Sequence, residues 1–217
     1  MSYHRLLIVV CFLIANYAYL NCSQAQINRP YFKHLTRDEG LSSNKINCIA
    51  EDKFGFIWLG TEEGLSRYDG VRFKIFKSVP GLNDNYVNSI AADPANGNLW
   101  IGTRKGICFF NRKLERFYPF SKDSGLDSVT RSSSISKVFL DSRKRLWVAG
   151  LSGLYCIPYN FSTGDGKNGK VEKNEKDGKD GEVQAVNLLG QTVVNDVFED
   201  SQNRIWIGSN KKLFLYD

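Results

Sequence analysis

Two adjacent glutamates and one histidine are the residues of this sequence whose types suit acid–base catalysis. Glu62 and Glu63 are neighbours in one turn, so their side chains diverge, and His34 lies far from them in the sequence. Cleavage of a glycosidic bond needs an acid and a base that converge on one point. The sequence therefore predicts no catalytic residue, and a secreted lyase or glycosidase remains only an alternative.

Metal and redox chemistry find little support. The run from Asp177 to Gly181 mixes acidic residues with glycine but lacks the regular carboxylate spacing and closing Glu of an EF-hand. Cys48, Cys108 and Cys156 are odd in number and far apart, which favours small buried side chains over disulfides or a metal site. We expect no metal and no cofactor.

Four polar side chains beside glycine-rich turns could bind a ligand: Asn85, Arg104, Lys105 and Arg131. Amide and cationic groups of this kind can fix the orientation of a polar ligand such as a sugar. The alternative is that all four are ordinary solvated loop residues. The elements on either side of these loops decide whether the four side chains converge.

A motif built on tryptophan supplies those elements, because it returns four times along the chain. The tryptophans and the aspartates that precede them are Trp58, Trp100, Trp147 and Trp206, with Asp52, Asp93, Asp141 and Asp200. Successive tryptophans are 42, 47 and 59 residues apart. A period in the forties is typical of propellers and of helical arrays, so local patterning must separate the two.

The local pattern is that of short strands. Runs of β-branched and aromatic residues alternate with Gly, Asn and Asp, which is typical of consecutive antiparallel strands. In the first repeat we predict strands at 45–51, 55–60, 64–69 and 71–77. No stretch after the N-terminal region sustains the spacing of an amphipathic helix. Each repeat is therefore predicted to be a four-stranded meander.

The aspartate and tryptophan of each motif are interpreted as structural. The aspartate can accept backbone N–H bonds inside its turn, and the tryptophan falls on a strand with neighbours on both sides. Burying such a ring removes about 150–250 Å² from water, which is worth about 4–6 kcal/mol at ~25 cal/mol/Å². Four meanders that cannot cover both of their faces must stack, and radial stacking gives a β-propeller.

The long third spacing is explained by residues 160–181. This segment is rich in lysine, acidic residues and glycine, with Phe161 and Val171 as its large apolar residues. Such a composition buries too little surface to become ordered. We predict a disordered insert between the third and fourth strands of the third repeat.

Residues 31–36 carry the pattern of an outer strand. Phe32 lies eight residues before Gly40, as Phe73 lies eight before Gly81. The chain thus begins with an outer strand and ends without one, an arrangement by which propellers close and hide an edge. Either four blades close on themselves, or the chain is the first part of a larger ring; we favour the larger ring.

Residues 1–25 have the features of a secretory signal peptide. Arg5 precedes a mostly apolar run, residues 6–20, and residues 23–25 suit a signal peptidase. The run falls short of the ~20 residues that a membrane span needs. The mature protein is predicted to be residues 26–217. Cys22 raises the alternative of a lipid anchor, although residues 19–21 form a poor lipobox.

The charge distribution disfavours nucleic acid. The formal net charge is +6, but lysines and arginines alternate with acidic residues without forming a basic block. We therefore expect no nucleic acid to bind this chain.

With these motifs on the page, the sequence resembles the two-component regulator propeller family. The residues that carry the resemblance are Phe32, Leu35, Thr36, Gly40, Leu41, Ser42, Asn44, Ile46, Asp52, Gly55, Trp58, Gly60, Thr61, Gly64, Leu65, Tyr68 and Asp69. More specifically, the chain is similar to the N-terminal end of the periplasmic sensor region of Bacteroides-type hybrid histidine kinases. The third and fourth repeats drift, since Ala149-Gly150 and Gly208-Ser209 replace Gly-Thr.

The resemblance implies a seven-bladed propeller, of which about four blades are present here, on the periplasmic side of the inner membrane. It implies an oligosaccharide ligand and, as partners, the remaining blades and the kinase region of a full-length sensor, with a homodimer of that sensor as a further expectation. No kinase motif occurs in this sequence, so we expect no enzyme activity.

In propellers of this kind a ligand is expected where turns between the second and third strands meet the loops between blades. The four candidate residues fall in those loops. A protein-interaction scaffold is the alternative from another functional class.

Overall fold

The computed structural model describes residues 3–21, 31–119, 133–158 and 186–216. Two compact units are present, residues 1–34 and residues 35–217. The first contains helix α1 (Tyr3–Asn21). In the described residues no helix combines the length and apolar character that a bilayer span requires. Cys22, Arg131 and the predicted insert at 160–181 lie outside the described residues.

The second unit contains four antiparallel sheets in sequence order, numbered here as blades 1 to 4. Blade 1 consists of β1 (Ile46–Glu51), β2 (Ile57–Thr61), β3 (Gly64–Tyr68) and β4 (Phe73–Phe76). Blade 2 consists of β5 (Val87–Ala92), β6 (Leu99–Thr103), β7 (Gly106–Asn111) and β8 (Arg116–Pro119). Blade 3 consists of β9 (Ile135–Leu140), β10 (Arg145–Gly150), β11 (Gly153–Pro158) and β12 (Val186–Asn187). Blade 4 consists of β13 (Val194–Glu199), β14 (Ile205–Ser209) and β15 (Leu213–Tyr216). A short 3₁₀ turn, Arg37–Glu39, precedes blade 1.

The all-β prediction is confirmed. Each blade is a meander of neighbouring antiparallel strands, and the strands of blade 1 end within two residues of the predicted limits. Every motif tryptophan lies on the second strand of its blade. The prediction that the insert joins the third and fourth strands of blade 3 is also confirmed, because β11 ends at Pro158 and β12 begins at Val186.

The strand predicted at residues 31–36 is wrong. These residues are not part of any sheet, and Phe32 is 76% exposed. A strand is defined by its hydrogen-bonded neighbour, and the predicted partner edge belongs to the fourth blade. In the described part of the chain blade 4 is a three-stranded sheet ending at β15, which has nothing paired on its outer side.

The hydrophobic core lies between blades rather than within them. One buried cluster joins blades 1 and 2, a second joins blades 2 and 3, and a third joins blades 3 and 4. Trp58, Trp100 and Trp147 are 0–1% exposed in these clusters. The free faces of blades 1 and 4 keep apolar side chains in solvent, including Ile49 and Phe198. The four blades therefore form an open array rather than a closed ring of four.

The motif aspartate fixes both its turn and the tryptophan. Asp52 Oδ1 accepts the backbone N–H of Phe54 at 2.8 Å, and its Oδ2 accepts the indole N–H of Trp58 at 2.8 Å. Asp141 and Asp200 accept the indole N–H of their own tryptophans at the same distance. The structural role predicted for the motif residues thus has a direct physical basis, since each carboxylate satisfies a donor that the core would otherwise leave unpaired.

Candidate functional site

One face of the blade array carries both the second-to-third-strand turns and the segments that enter each blade; we call it the loop face. Three equivalent backbone bonds of 3.2 Å connect the two sets. They run from Arg104 N to Tyr86 O, from Leu151 N to Ser134 O, and from Asn210 N to Val193 O. The loops around the propeller axis are therefore held in register by the backbone.

A hydroxyl in the Gly-Thr motif ties each of these turns. Thr61 Oγ1 donates to Gly64 O at 2.9 Å, and Thr103 Oγ1 donates to Gly106 O at 2.8 Å. Blade 3 has Gly150 at this position, where an added Cβ would lie 2.3 Å from Ser134 O. The departure from Gly-Thr that the sequence showed thus follows from a closer approach of the backbone in blade 3.

The innermost strand of each blade contains a β-bulge with a polar residue at its centre. The bulges lie at Asn47, Asn88, Ser136 and Asn195. A bulge lifts one residue out of the hydrogen-bonded ladder and redirects its side chain. The four residues occur 11 or 12 positions before the motif tryptophans, so the signal was present in the sequence but was missed.

Three of the bulged side chains bind the next blade. Asn47 Nδ2 donates to Val87 O at 2.9 Å, and Asn88 Nδ2 donates to Ile135 O at 2.8 Å. Ser136 Oγ donates in the same way to Val194 O. In each case the acceptor is the backbone carbonyl of an early residue on the inner strand of the following blade. The bulge side chains therefore set the spacing between blades.

A cleft of about 350 Å³ opens on the loop face next to these bulges. Its lining includes the amides of Asn47, Asn88 and Asn195 and the hydroxyls of Ser134 and Ser136. A volume at the lower end of the range for small-molecule sites suits one or two sugar rings, and amides and hydroxyls are the groups that orient such ligands. This cleft is the main concave site that sequence reasoning did not locate.

The predicted ligand residues occupy the loop face around blades 1 and 2, except for Arg131, which is not described. Asn85 is used locally, because its Oδ1 accepts Ser78 N at 2.7 Å and its Nδ2 donates to Ser78 Oγ at 3.0 Å. Arg104 lies over the ring of Tyr86, with its guanidinium carbon 4.4 Å from the ring centroid. Lys105 is exposed beside it. The structure thus places Arg104 and Lys105 together and uses Asn85 to shape the entering loop.

The neighbouring glutamates are held apart, as their adjacency predicted. Glu62 accepts a hydrogen bond from Tyr86 Oη at 2.9 Å and pairs with Lys45. Glu63 pairs with Lys77 at 3.0 Å and with Arg37 at 3.3 Å. Hydrogen bonding to Lys45 lowers the pKa of Glu62, and hydrogen bonding to Lys77 lowers the pKa of Glu63. Neither carboxyl group is poised to deliver a proton near neutral pH.

An ion network closes the opposite edge between blades 1 and 2. Glu115 lies 2.8 Å from both Arg67 Nη1 and Lys74 Nζ, and 3.0 Å from Arg112 Nη1. The Lys74 and Arg67 hydrogen bonds lower the pKa of Glu115 to about 2. Arg67 also stacks over the ring of Phe56, with its guanidinium carbon 4.6 Å from the ring centroid. This network binds the two blades together rather than offering a ligand site.

The cysteines behave as buried side chains. Cys108 is fully buried and Cys48 and Cys156 are half-buried, and all three are free thiols. Burial raises the pKa of Cys48 and of Cys108 to about 12. Within the described ranges no group of three or more His, Cys, Asp or Glu could hold a metal ion.

Comparison with known proteins identifies what these repeats resemble. Residues 40–63, 81–105 and 187–211 match the sequence model of the two-component regulator propeller. A 57-residue stretch is 40% identical to "Histidine kinase P4" of Formosa agariphila, covering 26% of this chain and 4% of that protein. The fourth repeat, judged to drift, is thus matched, whereas no matched segment covers the third.

Solved structures show the same fold. The extracellular domain of the putative hybrid two-component system BT3049 from B. thetaiotaomicron superposes with a TM-score of 0.56 at 24% identity, over 87% of this chain and 31% of that chain. The extracellular domain of the putative one-component system BT4673 from the same organism gives 0.60 at 22%, over 87% and 23%. Virginiamycin B lyase from Staphylococcus aureus gives 0.53 at 12%, over 82% and 57%. The chain spans less than a third of the two sensor domains.

Proposed function

Because this chain carries the repeats of the two-component regulator propeller, we propose that it is the ligand-binding part of an exported sensor. The ligand is an oligosaccharide, bound on the loop face, and the signal is passed on by kinase parts that this sequence does not contain. The predicted signal peptide and the extracellular origin of the similar structures support a periplasmic location.

One observation carries the proposal: the axial cleft is lined by amides and hydroxyls on the same face as the exposed pair Arg104 and Lys105. Neutral donors and acceptors suit sugar hydroxyls, and the guanidinium on Tyr86 offers a flat, oriented donor at the rim. The cleft contributes recognition without a catalytic pair, since Glu62 and Glu63 are both engaged in ion pairs.

Binding of a panel of oligosaccharides to the purified chain, followed by isothermal titration calorimetry, tests the proposal. A ligand found in this way should lose about tenfold in affinity with Arg104→Ala, because one charge-assisted hydrogen bond of roughly 1.5 kcal/mol is removed. Ser134→Ala, inside the cleft, should weaken binding in the same experiment.

Arg143→Ala is the matched control, because Arg143 is also exposed but lies in the turn between β9 and β10, away from the loop face. Equal losses with both arginine variants would show that charge alone is responsible. Failure of every saccharide to bind, with protein partners captured instead, would favour the scaffold function.

A further inference from the structure

The two ends of the blade array expose the two halves of one contact that the chain builds three times internally. We call this contact the blade joint: the tryptophan-bearing face of one blade against the inner strand of the next. Each internal joint buries a motif tryptophan and contains a bond from a bulged side chain to a carbonyl of the next inner strand. A third part is a hollow beside the second strand.

That hollow is created by the glycine of the Gly-Thr motif. A Cβ added at Gly60 would lie 2.6 Å from Val87 Cγ1, and one added at Gly102 would lie 2.7 Å from Ile135 Cγ2. Glycine is therefore needed where a branched side chain from the next blade enters. Val87 and Ile135, which fill the two hollows, are 0% and 1% exposed.

Blade 4 presents the first half of a joint without its second half. A Cβ added at Gly208 would have no heavy atom nearer than Asp196 O, at 3.9 Å, so this hollow is empty. Asn195 is exposed, and its side-chain amide has no hydrogen-bond partner among the described residues. Phe198, which corresponds to the half-buried Phe139 of blade 3, is 61% exposed beside the half-buried Trp206.

Blade 1 presents the complementary half. Ile46 occupies the position of Val87, Ile135 and Val194, which are 0–1% exposed, yet Ile46 itself is 40% exposed. Ile49 corresponds to Ile90 and is 65% exposed. The residues that fill a hollow and cover a tryptophan face in the interior of the array thus stand in solvent at its beginning.

We propose that a second copy of this chain binds head to tail, with β1 of that copy on blade 4 of this one. Ile46 of the second copy fills the hollow beside Gly208, and its carbonyl accepts the amide of Asn195. Two copies then make two identical joints and close a ring of eight blades, which lies within the range that propellers adopt. The occupant is argued from continuity, because the joint repeats three contacts already present in each copy.

Residues 31–36 fit the same arrangement. Their pattern is that of an outer strand, and they precede β1 as β4 precedes β5. In the internal repeats such a strand belongs to the blade before the joint. In the ring, residues 31–36 of the second copy would therefore pair with the open edge of β15 as the fourth strand of blade 4.

Size-exclusion chromatography with light scattering on the purified chain tests the proposal, with twice the monomer mass expected. Gly208→Val should give a monomer with an unchanged circular dichroism spectrum, because the added side chain meets open space within one copy. Ile49→Lys should also give a monomer. Leu114→Lys is the control, since Leu114 is 44% exposed in the turn between β7 and β8, outside both halves of the joint.

Mixing the two monomeric variants gives the sharper result. Gly208→Val keeps an intact blade 1 and Ile49→Lys keeps an intact blade 4, so the mixture should form a two-copy species through a single joint. A wild-type monomer, with the end faces covered instead by other blades, would overturn the proposal. A mixture that stays monomeric, or a ladder of larger species, would overturn the closed head-to-tail ring.

Discussion

The bond between Asp52 and Trp58 can be tested by a change of a single atom type. In Asp52→Asn, Oδ1 can still accept the backbone N–H groups of the turn, but an amide N–H₂ replaces Oδ2 opposite the indole N–H. Two donors then face each other in a site where the Asp52 side chain is 0% exposed. Loss of a hydrogen bond to a buried charged group costs about 1.5–3 kcal/mol.

At about 2–4 °C per kcal/mol for a domain of this size, the melting midpoint should fall by about 3–12 °C. The assay is thermal and urea unfolding monitored by circular dichroism, because removal of a tryptophan would disturb fluorescence. A double-mutant cycle with Trp58→Phe isolates the bond, and we expect a coupling energy of about 1–2 kcal/mol. If Asp52→Asn costs the same in the wild type as in the Trp58→Phe background, the reasoning is refuted.

Asp200→Asn is the matched variant in blade 4. The carboxylate makes the same 2.8 Å bond to the indole of Trp206, but its side chain is 17% exposed and the ring is half-buried. Water can replace the lost acceptor there, so the loss should stay below about 1 kcal/mol. Equal losses at Asp52 and Asp200 would show that burial does not set the size of the effect.

Three further outcomes are expected. Glu115 has its pKa lowered to about 2, so its contribution to stability is complete above the unfolded pKa of about 4.3 and is lost as the pH falls towards 2; urea unfolding of the wild type and of Glu115→Gln should converge over that range. The Cys108 thiol, with its pKa raised to about 12, should react with a maleimide at neutral pH only after denaturation, as mass spectrometry would show. Gly60→Val should lower the free energy of unfolding by about 1–3 kcal/mol or more through its clash with Val87, in contrast to the tolerated Gly208→Val.

The fold was predictable because its signals are local. The spacing of aspartate, glycine and tryptophan repeats within each blade, and strand boundaries follow from residues that are close in sequence. The outer strand at residues 31–36 was predicted wrongly for the opposite reason. Its pattern is local, but a strand also needs a neighbour, and that neighbour must come from the other end of a ring.

The candidate site was harder to predict because it is built from contacts between blades. Asn47 and Val87 are 40 residues apart, and nothing near Asn47 announces that its amide will reach that carbonyl. A charged loop residue such as Arg104 attracts attention as a ligand group, whereas an asparagine inside a strand does not. The regular offset of the bulge residues from the tryptophans was the one available signal.

The bulged residues connect recognition with assembly, because the same side chains line the axial cleft and hold adjacent blades together. Asn47, Asn88 and Ser136 each have a donor committed to the next blade, which fixes the direction of the remaining polar atoms. Asn195 lines the same cleft, and within the described part of the chain its amide is uncommitted. Once Asn195 donates across a fourth joint, it too is fixed, so the blade that completes the joint also completes one wall of the cleft.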